Sequence, residues 1–350
     1  MAGLERARQC LDMRLASPRP LESSTPVPIR RRVGRGARRA KRLTASLFLV
    51  LAVGPIGCAG LPISDPSNTS NPSNTSLVAP GASVVKLADG FLFTEGPAAD
   101  AEGNVYFSDI PNDRIHRYDL EGTLSVFLEG GGAGGSNGLF FDAEGQLLAC
   151  QMQARRVVSI GPDGAIRVVA DAYAGRPLNQ TNDLWVDPEG GVYFTDPYYG
   201  EEADALEQGG FHVYYVPPTR DRVVRVIDDL PQPNGLVGTS DGRTLYVSDP
   251  GSRKTWAYSI QSDGRLTDRR QAAPEGYDGL TLDEHGNLYV AHEGVEIYAP
   301  DGTWLETVEM PEHPANLTFG GADGRTLFLT ARTGFYSIRM KVRGQPRPAR

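Results

Sequence analysis

Cysteine is scarce in this chain. The three residues, Cys10, Cys58 and Cys150, are too few and too scattered for a disulfide framework or a cysteine-built zinc site. The five histidines, His116, His212, His285, His292 and His313, are likewise spread without metal-ligand spacing. No stretch of a dozen residues beyond residue 80 keeps a helical period, which argues against bundles and α/β layers. Ser252 in PGSRK lacks the glycine frame of a nucleophile elbow. Basic charge is also missing where a nucleic-acid binder would need it. The first 42 residues hold 12 of the 35 Lys and Arg and 3 of the 43 acids, leaving 23 basic against 40 acidic residues over 43–350, a net of −17. Such a surface repels phosphate backbones, so no nucleic-acid partner is expected.

The basic start has another reading. RRRVGRGARRAKR is followed by the apolar run LTASLFLVLAVGPIG and then Cys58, the order of a secretory leader whose core is too short for a comfortable membrane span. Pro55-Ile56-Gly57-Cys58 resembles a lipobox, in which the cysteine is acylated and becomes the new N-terminus. Residues 1–58 are therefore assigned as leader and signal peptide, and 59–79, containing PSNTSNPSNTS, as a flexible linker. The expected location is the bacterial cell envelope, as a periplasm-facing lipoprotein or a secreted protein. Membrane contact would run only through the N-terminal lipid, and a monomer is expected.

What the chain does have is a repeat. FTEGPAADAEGNVYFSD from Phe93 returns as NGLFFDAEGQLLAC from Asn137, NDLWVDPEGGVYFTD from Asn182, NGLVGTSDGRTLYVSD from Asn234, DGLTLDEHGNLYVA from Asp278 and NLTFGGADGRTLFLT from Asn316. The opening residues Glu95, Asn137, Asn182, Asn234, Asp278 and Asn316 stand 42, 45, 52, 44 and 38 positions apart. Each phrase is a tight Gly turn feeding a buried β-run, and two further short strands follow it. Four strands per repeat of about 40 residues make the blade of a β-propeller. The fold class is thus all-β, one six-bladed propeller over 80–342 with a C-terminal tail at 343–350. The segment SVVKLAD at 83–89 is a spare strand that can complete the last blade and close the ring.

In a propeller the innermost strands run along one axis, so their first residues converge. All six opening residues carry a side-chain oxygen. Asn before Gly is by itself a turn former, but Glu is not, and six oxygen donors at one register exceed what turn chemistry explains. Two carboxylates with neutral amides suit a hard divalent cation, Ca²⁺ first, with Mg²⁺ or Mn²⁺ as alternatives. Cys150, ending an apolar strand, is expected to be a buried structural residue.

The residues Phe93-Thr94-Glu95-Gly96-Pro97, Leu178-Asn179-Gln180-Thr181-Asn182-Asp183, Pro233-Asn234-Gly235-Leu236, Tyr277-Asp278-Gly279-Leu280 and Pro314-Ala315-Asn316 resemble, in order and spacing, the SMP-30/gluconolactonase/LRE family. That resemblance implies a central-channel metal and hydrolysis of lactones or, in some members, phosphotriesters. It implies Glu95, Asn182, Asn234 and Asp278 as metal ligands and Asp278 as general base, with a small lactone as substrate. Asn137 and Asn316 are read as lining the pocket or orienting water. Asp196 and Tyr198, in FTDPYYG, are read as substrate contacts, with turn formation as the alternative. The family's bacterial gluconolactonase-like members often carry a His where this chain has Gln151-Met152-Gln153, which loosens the inference to a sugar lactone. Two alternatives stand beside lactone hydrolysis: a phosphotriesterase using the same site, and a non-catalytic sugar- or ligand-binding envelope propeller with structural calcium.

Overall fold

The computed structural model describes residues 76–130, 132–200 and 206–346. The expected leader, the lipobox with Cys58 and the linker up to residue 75 lie outside the described residues, as do 347–350. Among the described residues no helix is long and apolar enough to cross a membrane.

Six antiparallel four-stranded sheets follow one another along the chain as blades 1 to 6. Their inner strands are Thr94–Ala99, Ser136–Phe141, Leu184–Val186, Leu236–Gly238, Leu280–Leu282 and Asn316–Gly320. Each touches the next and the last touches the first, so the six blades form a closed ring. The five-residue connections that return each inner strand to its neighbour hold Gly103, Gly145, Gly190, Gly242, Gly286 and Gly324, all at positive φ. Only glycine adopts that backbone without strain, which is why the phrase carries a glycine at this point six times. The acid ahead of the glycine caps the turn. Asp100 Oδ1 accepts from the N–H of Gly103 at 2.9 Å and Asn104 at 2.8 Å, and Asp187 Oδ1 accepts from Gly191 N–H at 2.7 Å.

The ring is closed by chain crossing, as the spare strand implied. Val85–Asp89 pairs antiparallel with Gly334–Arg339, with Val85 opposite Ser337 and Asp89 opposite Gly334, and becomes the outermost strand of blade 6. The seam it makes with blade 1 is aromatic: Phe107 stacks on Phe335 at 4.3 Å between centroids, and Phe91 meets Phe107 edge-on at 5.2 Å. Burying side chains of this size yields about 1.5–3 kcal/mol each, so the seam is held by packing as well as by the strand ladder. Burial rises toward the axis. The second strands, such as Leu147–Gln151 and Val192–Asp196, are wholly buried, whereas the outer strands Leu124–Glu129 and Leu266–Ala273 are mostly exposed.

The inner strands all start at one end of the channel, termed upper here, and their turns lie at the lower end. The described part of 343–350 crosses that lower end. Gln345 N–H donates to Leu282 O at 3.0 Å, its Nε2 donates to Gly238 O at 2.8 Å, and its Oε1 accepts from Ser240 N–H at 2.9 Å.

Candidate active site

The six opening residues meet at the upper end of the channel because neighbouring blades are stitched together there. Ser108 Oγ donates to Asn137 O at 2.8 Å, Thr195 Oγ1 to Asn234 O at 2.6 Å and Ser248 Oγ to Asp278 O at 2.7 Å. In each case a hydroxyl on the second strand of one blade fixes the opening residue of the next. Cys150 fills the equivalent place in blade 2 and is fully buried.

The glycine that follows four of the six opening residues has a packing role, not the turn role that Asn-Gly suggests in sequence. A Cβ on Gly96 would stand 2.1 Å from Asn137 O, one on Gly235 2.3 Å from Asp278 O, and one on Gly279 2.1 Å from Asn316 Cγ. Gly138, Gly235 and Gly279 do not have positive φ, and Asn137-Gly138 lies inside a strand. Only the missing side chain lets adjacent blades close to this distance. The dipeptides record that closeness.

Blade 3 breaks the pattern with Asp183, a residue that sequence reasoning did not assign to the site. Its Oδ1 accepts from Leu184 N–H at 2.9 Å, and its Oδ2 faces Leu236 N–H at 3.3 Å and Asn316 Nδ2 at 3.5 Å. Asn316 belongs to blade 6, diametrically opposite, so the Asp183 carboxyl spans the axis. Burial pushes its pKa up to about 7, and the charge of nearby Glu95 adds to the rise. The only trace in the sequence is an Asp where four other blades place Gly.

The remaining members divide by their partners. Glu95 is 1% exposed and its Oε2 accepts from Gly96 N–H at 3.1 Å. Asn182 Nδ2 donates to Tyr199 Oη at 3.0 Å, which leaves Asn182 Oδ1 as the free face of that amide. Asn234 is buried, and Asp278, half-buried, is more open than Glu95. Asn316 Oδ1 accepts from Leu317 N–H at 2.8 Å. Asn137 is 1% exposed, and its Nδ2 has no hydrogen-bond partner among the described residues. An amide donor left so costs about 1–3 kcal/mol.

Asp196 and Tyr198 lie beside this ring. Asp196 is fully buried and its Oδ2 accepts from Asn179 N–H at 2.8 Å, holding the segment that enters blade 3; Asp109 and Asp249 do the same for blades 1 and 4. Burial raises the pKa of Asp196 to about 7, against the lowering effect of the Asn179 and Gln180 N–H groups. Tyr198 is half-buried; its neighbour Tyr199 is the tyrosine bonded to the ring. Tyr199 also joins Phe93, Ile110, Met152 and Ala315 in an apolar cluster over the upper end. Gln151, in the segment where a histidine was of interest, is engaged with Gly132 O and the Arg156 guanidinium.

Beneath the ring the inner strands enclose a cavity of about 90 Å³, running from Asp183 and Asn316 to Gly344 and Gln345. Among the described residues no three His, Cys, Asp or Glu side chains cluster as a metal centre. The opening residues offer instead two carboxylates and several amide oxygens, with the Asp183 carboxyl beside them, the mixture that fits a hard cation and no soft one.

Comparison with known proteins identifies the family. The profile of the SMP-30/gluconolactonase/LRE-like region matches residues 93–333. A gluconolactonase of Zymomonas mobilis is 32% identical over 290 residues, covering 74% of this chain and 81% of that protein. The diisopropyl-fluorophosphatase of Loligo vulgaris is 29% identical over 277 residues, 70% of this chain and 87% of the other. Among solved structures, a gluconolactonase of Xanthomonas campestris aligns with a TM-score of 0.69 and 32% identity, covering 75% of this chain and 91% of that one.

Proposed function

The chain belongs to the SMP-30/gluconolactonase/LRE-like family, and on that premise we propose that it hydrolyses a sugar lactone at the upper end of its channel, with a bound divalent cation. The observation that supports this reading is the blade-to-blade stitching that fixes the opening residues Asn137, Asn234 and Asp278 at one end of the axis. The gluconolactonase relatives support the substrate class.

Glu95, Asn182, Asn234 and Asp278 would hold the cation, Ca²⁺ before Mg²⁺ or Mn²⁺. When bound, it supplies Lewis-acid polarisation of the substrate carbonyl. The side chains do the rest. Tyr199 holds the Asn182 amide by its nitrogen, so that the oxygen is presented to the axis. Glu95, almost wholly buried, contributes charge. Asp278, half-buried, is the ring carboxylate that attacking water can reach, and it takes the proton of that water. The apolar cluster of Phe93, Ile110 and Met152 limits the water around the reacting carbonyl.

A phosphotriester reading of the same site draws on the Loligo vulgaris relative; it replaces the acyl carbon by phosphorus and keeps the residue roles. For location, we propose that the leader and Cys58 deliver the propeller to the cell envelope as a periplasm-facing lipoprotein. Purified protein, stripped with EDTA and then reloaded, should acidify a pH-indicator solution of δ- and γ-lactones only with added Ca²⁺. Failure to open any lactone under those conditions, with phosphotriesters turned over instead, would transfer the assignment to the second reading.

A further inference from the structure

Asn137 stands between two residues proposed to hold the cation, Glu95 in blade 1 and Asn182 in blade 3, at the same register of the inner strands. Its main chain is fixed: the carbonyl accepts from Ser108 Oγ at 2.8 Å, and Gly138 N–H donates to Asn182 O at 2.8 Å. Gly96 leaves no space on the other side, since even a Cβ there would lie 2.1 Å from Asn137 O. The side chain is 1% exposed and Nδ2 finds no acceptor among the described residues, although Glu95 and Asn182 on either side have partners. A donor cannot coordinate a cation. It requires an acceptor atom that arrives with the ligand, and between Glu95 and Asn182 that atom is also beside the cation position. In a lactone, the atom that takes that position is the carbonyl oxygen.

We propose that Asn137 Nδ2 is the hydrogen-bond donor to the lactone carbonyl oxygen, an inference that rests on the lactonase reading. Water forms a bond to the acyl carbon and yields its proton to Asp278, while the carbonyl π pair moves onto the oxygen facing Asn137. Collapse restores the C=O bond, breaks the bond from the acyl carbon to the ring oxygen, and the departing oxygen recovers the proton. The product is the open hydroxy acid. A donor placed on the oxygen that gains charge strengthens in the transition state, an effect on the order of 10²–10³ in kcat where single donors of this kind have been removed.

The test uses Asn137→Asp, which keeps the shape and the acceptors but removes the donor, and Asn137→Ala, which removes the amide altogether. Calcium affinity by calorimetry, kcat and KM on D-glucono-1,5-lactone at saturating Ca²⁺, and melting temperature are measured for each. Expected for both variants are a kcat lower by about 10²-fold, KM changed by less than about threefold and Ca²⁺ binding no weaker than wild type. Asn137→Ala should also melt no lower than wild type, because it deletes an unpaired buried donor. Activity within threefold of wild type, or loss of activity in step with Ca²⁺ affinity, overturns the assignment. So does a lower melting point for Asn137→Ala, even if no lactone is turned over. A wild-type protein inert toward every lactone counts first against the lactonase reading.

Discussion

The two ends of the channel are built by the same six strands, yet they treat their polar groups in opposite ways. At the lower end each turn acid is spent on the backbone of its own hairpin, and Gln345 ties the C-terminal segment to blades 4 and 5 with three hydrogen bonds. At the upper end Asn137 Nδ2 and Asp196 Oδ1 are buried without partners, and an axial carboxyl at Asp183 lies within the field of Glu95. A repeat duplicates structure at both ends. Among the described residues, the upper end leaves an amide and a carboxyl oxygen incomplete at the mouth of the channel, and buried incomplete groups mark where a ligand can complete them.

The difference can be broken most severely at Asp278. Asp278→Asn keeps a ligating oxygen but cannot take a proton, so with Ca²⁺ saturating it should lose on the order of 10³ in kcat, and stopped-flow acidification would register the loss. Turnover near the wild-type rate would reduce Asp278 to a ligand.

Asp196 sharpens the contrast within the upper end, since its carboxyl serves the fold of blade 3. Its folded-state pKa is raised to about 7 from an ordinary 3.8. A raised carboxyl pKa means that the proton favours the folded state: the contribution is complete below about pH 4 and is lost as pH rises through 7. Denaturant unfolding of the EDTA-treated protein between pH 5 and 8 should show declining stability. Asp196→Asn should flatten that decline, by on the order of 1–4 kcal/mol. An unchanged slope would place the proton elsewhere.

Tyr199→Phe removes the hydroxyl that orients Asn182 while leaving the apolar cluster. It should weaken Ca²⁺ binding roughly 3- to 10-fold, at the low end for a supporting contact, with a melting curve close to wild type. The smallest effect on function is expected at the lower end. Gln345→Ala should lower stability by about 1–2 kcal/mol through two lost side-chain bonds and leave kcat within twofold, measured side by side with Tyr199→Phe.

Much of this architecture is legible in the sequence because it is local. The turn glycines Gly103, Gly145, Gly190, Gly242, Gly286 and Gly324 sit where six copies of one phrase place them, and the strand at 83–89 is surplus to six units until it closes the ring. The opening residues were legible as a set because a propeller makes equivalent positions converge. Other features were not local. Gly138, Gly235 and Gly279 look like turn formers until the neighbouring blade supplies the atoms they avoid. Asp183 reads as an ordinary acid because its partners, Leu236 and Asn316, are 53 and 133 residues away. Tyr198 and Tyr199 differ only in which of them the loop turns toward Asn182, a choice that pattern alone does not encode.

The central claim is that the upper end holds one divalent cation through the opening residues. Calorimetric titration of Ca²⁺ into EDTA-stripped protein, comparing wild type, Glu95→Gln and Gln345→Ala, tests it directly. The account predicts one cation per chain for wild type and Gln345→Ala with equal affinity, and for Glu95→Gln a loss of roughly 10- to 1,000-fold from the missing charge. Equal Ca²⁺ affinity in wild type and Glu95→Gln, or no binding by any of the three, would contradict it.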